Sequence, residues 1–235
     1  MKIKVQKQNA LVEYEFALED ITLLEVLQHI KETQDTTLTF ASGCRSGVCG
    51  SCSMRVNEKE VLACSYKVQD GDVIAPLKNV EVIRDLVVNM DNAYATNKKA
   101  KAWLQKITFD TVISPEDEKR NELQSDCILC GSCYSACPVL SVNSEFLGPF
   151  SLTRIWKYVT DEREVDTTEK LDTIQTNGIW DCTLCNECSM VCPQGISSKV
   201  DIEKLRSSSA MAGYSDPNFM NSFGGGFGFD GSPSF

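Results

Sequence analysis

Twelve cysteines in three groups constrain the fold of this chain more than any other feature. The groups are Cys44, Cys49, Cys52 and Cys64; Cys127, Cys130, Cys133 and Cys137; and Cys182, Cys185, Cys188 and Cys192. Disulfides are one interpretation, but no secretion signal follows the N-terminus, and the spacings are too short and regular for disulfide-stapled loops. We therefore interpret the cysteines as metal ligands.

The first group has four, two and eleven intervening residues. Each iron of a two-iron cluster needs two thiolates, and a loop with three cysteines can wrap the cluster while the fourth arrives from the next hairpin. Gly43, Gly47 and Gly50 would let backbone N–H groups approach the cluster sulfides. Zinc is the alternative, because it also accepts four thiolates. The spacing after a strand favours a [2Fe-2S] cluster held by Cys44, Cys49, Cys52 and Cys64.

The second and third groups repeat one pattern, C-x2-C-x2-C-x3-C-P, at residues 127–138 and 182–193. In this bacterial ferredoxin run the fourth cysteine ligates the other cluster. The pattern therefore predicts two cubane clusters, with zinc as the weaker alternative. The expected ligands are Cys127, Cys130, Cys133 and Cys192 for one [4Fe-4S] cluster, and Cys137, Cys182, Cys185 and Cys188 for the second [4Fe-4S] cluster.

Charge and hydropathy limit the function classes. The net charge is -10, with 33 acidic and 23 basic residues, so no nucleic-acid partner is expected. No stretch approaches 18 apolar residues, so we expect a soluble chain that meets a membrane through a partner.

The single histidine, His29, lies in a predicted helix away from the cysteines and is more typical of a structural residue than of a general base. We expect no catalytic residue in this chain.

The first third of the sequence predicts an α+β domain. Residues 3–8 and 11–16 alternate apolar and polar side chains about Asn9 and Ala10, which indicates a β-hairpin. Thr22 and Glu25 fit a capping box that starts a helix running to about Glu32. Further strands are predicted at residues 38–40, 54–56, 61–62, 74 and 80–83. This order resembles the β-grasp of plant-type ferredoxins.

The rest of the chain reads as helical. Residues 98–106 are rich in Ala, Lys, Leu and Gln, and Leu152, Ile155, Trp156 and Val159 form an amphipathic stripe. We predict a [2Fe-2S] β-grasp domain at 1–95, an all-α domain with both cubane clusters at 96–206, and a Gly/Phe/Ser-rich tail at 207–235.

The tail is either flexible or a docking peptide with phenylalanines at 219, 223, 227, 229 and 235. A dinucleotide-type glycine pattern at 226–231 is a chance match, since no helix can follow it.

Residues 1 to about 206 resemble the iron–sulfur subunit of succinate dehydrogenase and fumarate reductase. The matching segments are CRSGVCGSC at 44–52, VIRDLVVNM at 82–90, FLGP at 146–149 and both ferredoxin runs. The resemblance implies a subunit that relays electrons singly between the FAD of a catalytic partner, which interconverts succinate and fumarate, and a membrane quinone or other carrier. It also implies that the two-iron cluster lies nearest the flavin and the cluster of Cys137, Cys182 and Cys188 nearest the membrane.

Two departures from the family pattern point to a variant. Family members usually carry an apolar residue at the position of Cys185 and a [3Fe-4S] third cluster, which remains the alternative here if Cys185 is not a ligand. The usual quinone contacts, a tryptophan after the first Cys-Pro and a histidine at the position of Thr183, are absent. The pattern resembles the variant with a cysteine-rich, heterodisulfide-reductase-like membrane anchor. We expect attachment at the cytoplasmic side of the cell membrane, with export beside a signal-bearing partner left open.

Three other classes remain alternatives. The small subunit of molybdenum hydroxylases begins with a similar motif but continues with a second two-iron domain. A free ferredoxin shuttle would serve several partners, whereas the long helical domain and the match at 82–90 favour a fixed complex. The third is the electron-transfer subunit of a soluble 2-hydroxy-acid dehydrogenase or thiol-linked fumarate reductase.

Overall fold

The computed structural model of the chain describes residues 1–8, 10–17 and 19–217. Its N-terminal part is a mixed sheet with one helix, and the strand order is β2-β1-β5-β3-β4. The elements are β1 (Lys2–Lys7), β2 (Ala10–Glu15), α1 (Leu23–Thr33), β3 (Ser53–Val56), β4 (Lys59–Leu62) and β5 (Val73–Ala75). β1 pairs antiparallel with β2 and parallel with β5. The predicted first hairpin is confirmed, although Asn9 in its turn lies outside the described residues.

Local sequence signals account for α1 and the second hairpin. The Thr22 hydroxyl accepts from the Glu25 N–H, and the Glu25 carboxylate accepts from the Thr22 N–H at 2.7 Å. The predicted capping box is therefore confirmed, and α1 ends one residue beyond Glu32. Asn57 and Glu58 join β3 to β4 with φ of 49° and 68°, the left-handed pair that a two-residue hairpin needs.

Residues 38–40 do not form the predicted strand, since they pair with no strand in the described part of the chain. The Leu38 N–H donates to the Asp35 carbonyl at 3.1 Å. The Thr39 N–H donates to the Asp85 carboxylate at 2.9 Å. Leu38 is nevertheless fully buried. Its apolar character is therefore explained by burial. The backbone conformation of this segment is set by hydrogen bonds to the Asp35 carbonyl and the Asp85 carboxylate.

The predicted strand at 80–83 forms, but apart from the main sheet. β6 (Glu81–Arg84) pairs antiparallel with β7 (Val87–Asn89) in a separate two-stranded sheet. β7 was not predicted from the sequence.

The remaining part is helical. Its α-helices are α2 (Asp91–Lys99), α3 (Pro115–Lys119), α4 (Glu122–Ser125), α5 (Ser132–Ser135), α6 (Pro149–Val159), α7 (Thr168–Thr173), α8 (Glu187–Met190) and α9 (Ser198–Met211). Two 3-10 turns lie at Val139–Ser141 and Ile179–Asp181. α6 follows the predicted stripe and packs against α9, with Leu152, Ile155, Ile202 and Leu205 fully buried.

Two predicted boundaries differ from the observed ones. The helix expected across 98–106 ends at Lys99, Lys101 is left-handed (φ 50°), and the Gln105 and Lys106 N–H groups donate to the Glu164 carboxylate. α9 continues through Met211, so residues 207–211, assigned to the tail, are helical. The domain boundary predicted near residue 95 lies within α2 and stays a prediction. The tail phenylalanines and the pattern at 226–231 lie outside the described residues.

No helix in the described part of the chain combines the length and the apolar character needed to cross a bilayer.

Candidate iron–sulfur sites

The first site is a surface loop that connects residues 38–40 to β3. Backbone N–H groups of the loop point at cysteine sulfurs. The Cys44 N–H lies 3.3 Å from Cys49 Sγ, and the Gly47 N–H lies 3.3 Å from Cys64 Sγ. Cys52 is buried at the end of the loop, and this burial, together with the nearby Cys64 thiol, raises the pKa of Cys52 to about 11. The structure therefore brings the four predicted cysteines around one loop.

Two glycines let this loop close. Gly47 has φ of +74°, a left-handed conformation that glycine adopts without strain. A Cβ at Gly43 would lie 2.9 Å from Cys49 Sγ, closer than real Cβ contacts allow. A side chain at Gly43 would therefore push against a proposed cluster ligand.

The second site is a small cavity in the helical part of the chain. Four predicted cysteines line it, namely Cys127, Cys130, Cys133 and Cys192, among apolar neighbours such as Phe150 and Ile196. Burial raises the pKa of the Cys133 thiol well above its ordinary value, and the neighbouring thiols of Cys130 and Cys127 raise it further. Four half-buried thiols that line one cavity fit a bound metal cluster, which replaces their protons and compensates the thiolate charges.

The third site is a similar small cavity. Its cysteines are Cys137, Cys182, Cys185 and Cys188. Burial raises the pKa of Cys188 to about 12. Cys185 differs from the others of this group because it is exposed. The third cavity therefore has a buried side and one thiol at the surface.

The two cavities arise from an internal structural repeat. Leu129 and Gly131 are left-handed in the first run, and Leu184 and Asn186 are left-handed at the matching positions of the second. These turns place two cysteines before each short helix, α5 or α8, and one within it. The fourth cysteine of each run lies against the cavity of the other run. This crossing is the one that the ferredoxin pattern predicts.

Single-ion and cluster sites differ in how their thiolates are arranged. Within residues 1–8, 10–17 and 19–217, no three His, Cys, Asp or Glu side chains converge as the ligands of one metal ion would. Zinc would draw four sulfurs to about 2.3 Å from one point, whereas a cubane takes one thiolate on each of four separated irons. Thiols spread around a cavity therefore fit the cubane.

Serine hydroxyls also lie at the sites and were not predicted from the sequence. Ser51 Oγ lies 3.4 Å from Cys49 Sγ, and this hydrogen bond, with backbone N–H groups, lowers the pKa of Cys49 to about 6. Ser132 Oγ lies 3.4 Å from Cys130 Sγ. The signal for both is the tetrapeptide Cys-Gly-Ser-Cys, which occurs at 49–52 and again at 130–133.

Comparison with known families agrees with this arrangement. A 2Fe-2S iron-sulfur cluster binding domain matches residues 2–95, and a 4Fe-4S dicluster domain matches residues 123–196. The fold and the sites thus define an iron–sulfur protein with a two-iron domain followed by a dicluster domain. The expected fold class and cofactor classes are confirmed.

Curated relatives narrow the class. The 8-methylmenaquinol:fumarate reductase iron-sulfur subunit of Wolinella succinogenes is 40% identical over 82% of this chain and 66% of its own length. The fumarate reductase iron-sulfur subunit of Mycobacterium tuberculosis is 36% identical over 80% of this chain and 81% of its own. The chain belongs to the family of iron–sulfur subunits of succinate dehydrogenase and fumarate reductase, as the resemblance predicts.

A solved structure shares the fold. A chain of the Mycobacterium smegmatis Sdh1 complex in the apo form superposes with a TM-score of 0.80 at 22% identity, covering 92% of this chain and 98% of that one. The match to the Wolinella subunit spans just under two thirds of that relative's length.

Proposed function

We propose that this chain relays single electrons between the FAD of a catalytic succinate dehydrogenase or fumarate reductase subunit and a quinone-linked membrane-anchor subunit. The observation that carries the proposal is the row of three cysteine sites, which begins at an exposed loop and ends at the exposed Cys185. Iron–sulfur clusters accept and release one electron at a time, so they can link a two-electron flavin reaction to a distant carrier.

We assign the ligands by the grouping that the sites support. Cys44, Cys49, Cys52 and Cys64 hold the [2Fe-2S] cluster of a domain at residues 1–95. In the domain at 96–206, one [4Fe-4S] cluster takes Cys127, Cys130, Cys133 and Cys192. A second [4Fe-4S] cluster takes Cys137, Cys182, Cys185 and Cys188. The cavities lined by these two sets support the assignment.

The ends of the row suit different partners. At the first site Cys44 and Cys49 are exposed, and Val48 between them is 64% exposed; we assign this face to the FAD-containing subunit. At the third site Cys185 and Met190 are exposed, and we assign that face to the membrane anchor, at the cytoplasmic side of the membrane. Thr183 in place of the usual histidine supports a cysteine-rich, heterodisulfide-reductase-like anchor.

Reduction by substrate tests the proposal. The full chain would be produced anaerobically with its flavoprotein partner, and the cluster signals followed by EPR after addition of succinate. We expect succinate to reduce the clusters and glycolate to leave them oxidised. Chemical reduction by dithionite without any reduction by succinate would overturn the proposal. Mass spectrometry of proteins that co-purify with the tagged chain identifies the anchor.

A further inference from the structure

Gly50 is the point at which the first site meets the second. It lies between two proposed ligands of the first site, Cys49 and Cys52, and is buried with φ of +72°. A Cβ built on Gly50 would lie 2.8 Å from both Cα and Cβ of Cys130, and 3.1 Å from its backbone N. The loop backbone therefore rests directly against a proposed ligand of the second site.

Two features of residue 50 could require glycine: its left-handed backbone angle and its contact with Cys130. The contact is the better explanation. Gly47, three residues earlier, has nearly the same angle, φ +74°, yet a Cβ there would meet no described atom within 4 Å. Gly50 differs because the atoms in its way belong mainly to the backbone of Cys130, which cannot swing aside as a flexible side chain can. Because residue 50 has no side chain, the loop of the first site can approach Cys130 of the second site this closely.

Polar contacts hold this junction in register. Ser53 Oγ lies 3.3 Å from Ser132 Oγ in a buried pair just beyond Gly50 and Cys130. Gln194 Nε2, two residues after Cys192, donates to the Gly47 carbonyl at 3.2 Å. The first loop is thus tied to both cysteine runs that line the second cavity. The contact between Gly50 and Cys130 therefore lies between two hydrogen bonds that join the first site to the second.

We propose that Gly50 is a positioning residue for electron transfer between the first and second sites. It brings the loop of Cys49 and Cys52 against Cys130. One electron would then pass across a backbone contact from a reduced cluster at one site, which is oxidised, to an oxidised cluster at the other, which is reduced, with no bond made or broken and no proton moved. This inference rests on the proposed function, because it assumes that both sites carry clusters. It adds the residue that sets their separation.

The test compares Gly50→Ala with Gly47→Ala in the full chain loaded anaerobically. Both variants place a methyl group on a left-handed residue of the same loop, but only the first places it against Cys130. Dithionite reduces both sites without any partner or substrate, so this test does not depend on succinate activity. The readouts are iron content per chain, the EPR relaxation of the reduced first cluster with the second cluster reduced, and the rate of electron redistribution after a one-electron reducing pulse.

We expect Gly50→Ala to weaken the relaxation enhancement and to slow the redistribution severalfold. Gly47→Ala, which carries the same backbone strain without the contact to Cys130, should have a clearly smaller effect on both. Loss of iron from the second site in Gly50→Ala, with full loading of Gly47→Ala, also supports the contact. The proposal is overturned if loaded Gly50→Ala shows unchanged relaxation and rate. Equal defects in both variants also overturn it, because backbone strain is then the cause.

Discussion

Cys185 differs from the other cysteines around the third cavity in its exposure. Cys137 and Cys188 are 7% and 6% exposed, whereas Cys185 lies exposed at the surface. An iron held by Cys185 would therefore face the surface, while the ligands of the other irons lie deeper. Three thiolates without the fourth are the ligand set of a [3Fe-4S] cluster, the alternative left open by the sequence.

We expect Cys185→Ser to convert the third site from four irons to three, because the three remaining thiolates can retain the rest of the cluster. EPR of the oxidised protein, prepared without oxygen, should then show a strong three-iron signal. Thr183→Ser is the matched control, since it alters an exposed neighbour that lines the same cavity. A strong three-iron signal in the intact, unaltered chain would contradict the role of Cys185.

A second residue-level feature is a fully buried ion pair. Lys170 Nζ lies 2.6 Å from Glu164 Oε2, and both side chains are 0% exposed. Lys170 also donates to Gln105 Oε1 at 3.0 Å. Burial raises the pKa of Glu164, but the hydrogen bonds from Lys170 and from two backbone N–H groups lower it overall. The carboxylate therefore stays ionised at neutral pH and depends on its partner.

Lys170→Met should destabilise the chain by about 3–5 kcal/mol, because it leaves the Glu164 carboxylate buried and unpaired. Adding Glu164→Gln should restore part of this loss, since no buried charge then remains. Lys99→Met is the control: its pair with Glu145 is 2.8 Å long but solvent-exposed, so the expected cost is below about 1 kcal/mol. Denaturant unfolding of the loaded proteins measures the differences. Equal costs for Lys170→Met and Lys99→Met would contradict the expectation.

At the scale of elements, Asp201 ties three helices together. From α9 its carboxylate accepts from Gln124 Nε2 of α4 at 2.8 Å and from Thr153 Oγ1 of α6 at 3.0 Å. Burial raises the pKa of Asp201 from 3.8 to about 6, and the two hydrogen bonds offset this only in part. The carboxyl is 2% exposed. Its ionisation is therefore unfavourable in the folded protein.

The raised pKa of Asp201 predicts a pH dependence. In the unfolded chain the Asp201 carboxyl ionises near its ordinary pKa of 3.8, whereas in the folded chain it keeps its proton up to about pH 6. The free energy of unfolding therefore falls as the pH rises between these two values, by up to about 3 kcal/mol. Asp201→Asn keeps a neutral polar group and removes the effect. We expect the Tm of Asp201→Asn, relative to the unaltered chain, to increase from pH 5 to 7 and then to level off. Glu203→Gln, at a half-buried position of the same helix where the side chain pairs with Lys199, should show no such trend. A difference independent of pH would contradict the assignment.

Local signals predicted the elements that depend on local chemistry. The capping box at Thr22 starts α1, and the stripe from Leu152 to Val159 lies on α6. The segments that differed, residues 38–40 and 98–106, are arranged by carboxylates distant in sequence, those of Asp85 and Glu164. A single sequence carries no sign of those partners. The cysteine grouping followed from spacing within each run, and the cluster carried by each group remains a prediction.

At the scale of the whole molecule, a polar seam joins the sheet part to the helical part. Ser135 Oγ donates to Glu60 Oε1 at 2.7 Å and accepts from the Lys78 N–H at 2.8 Å. These contacts join β4 and the chain after β5 to α5, in the first ferredoxin run. No spacing rule predicts such contacts, because each joins residues more than 50 positions apart.

Asn79 is the central residue of this seam. Its Nδ2 donates to the carbonyl oxygens of Tyr134, Ser135 and Cys137 at 3.1, 3.1 and 3.0 Å. Its Oδ1 accepts from Ser141 Oγ at 3.0 Å. The backbone is left-handed, with φ of 61°, which asparagine tolerates better than most residues. The amide thus satisfies the carbonyls at the end of α5, beside a proposed ligand of the third site.

Asn79→Asp should weaken the seam although it barely changes shape, because an ionised carboxylate cannot donate and would face three carbonyl oxygens. We expect a loss of about 1–3 kcal/mol, in the range of a buried polar group left unsatisfied. Asn79→Gly is the control: it keeps the left-handed backbone and removes the hydrogen bonds without adding a charge, so its loss should be smaller. Urea unfolding of the loaded chain, followed by cluster absorbance and by circular dichroism, gives the order of stability. If Asn79→Asp were as stable as Asn79→Gly, repulsion at the carbonyls would play no part, and the seam would depend on packing and its other hydrogen bonds.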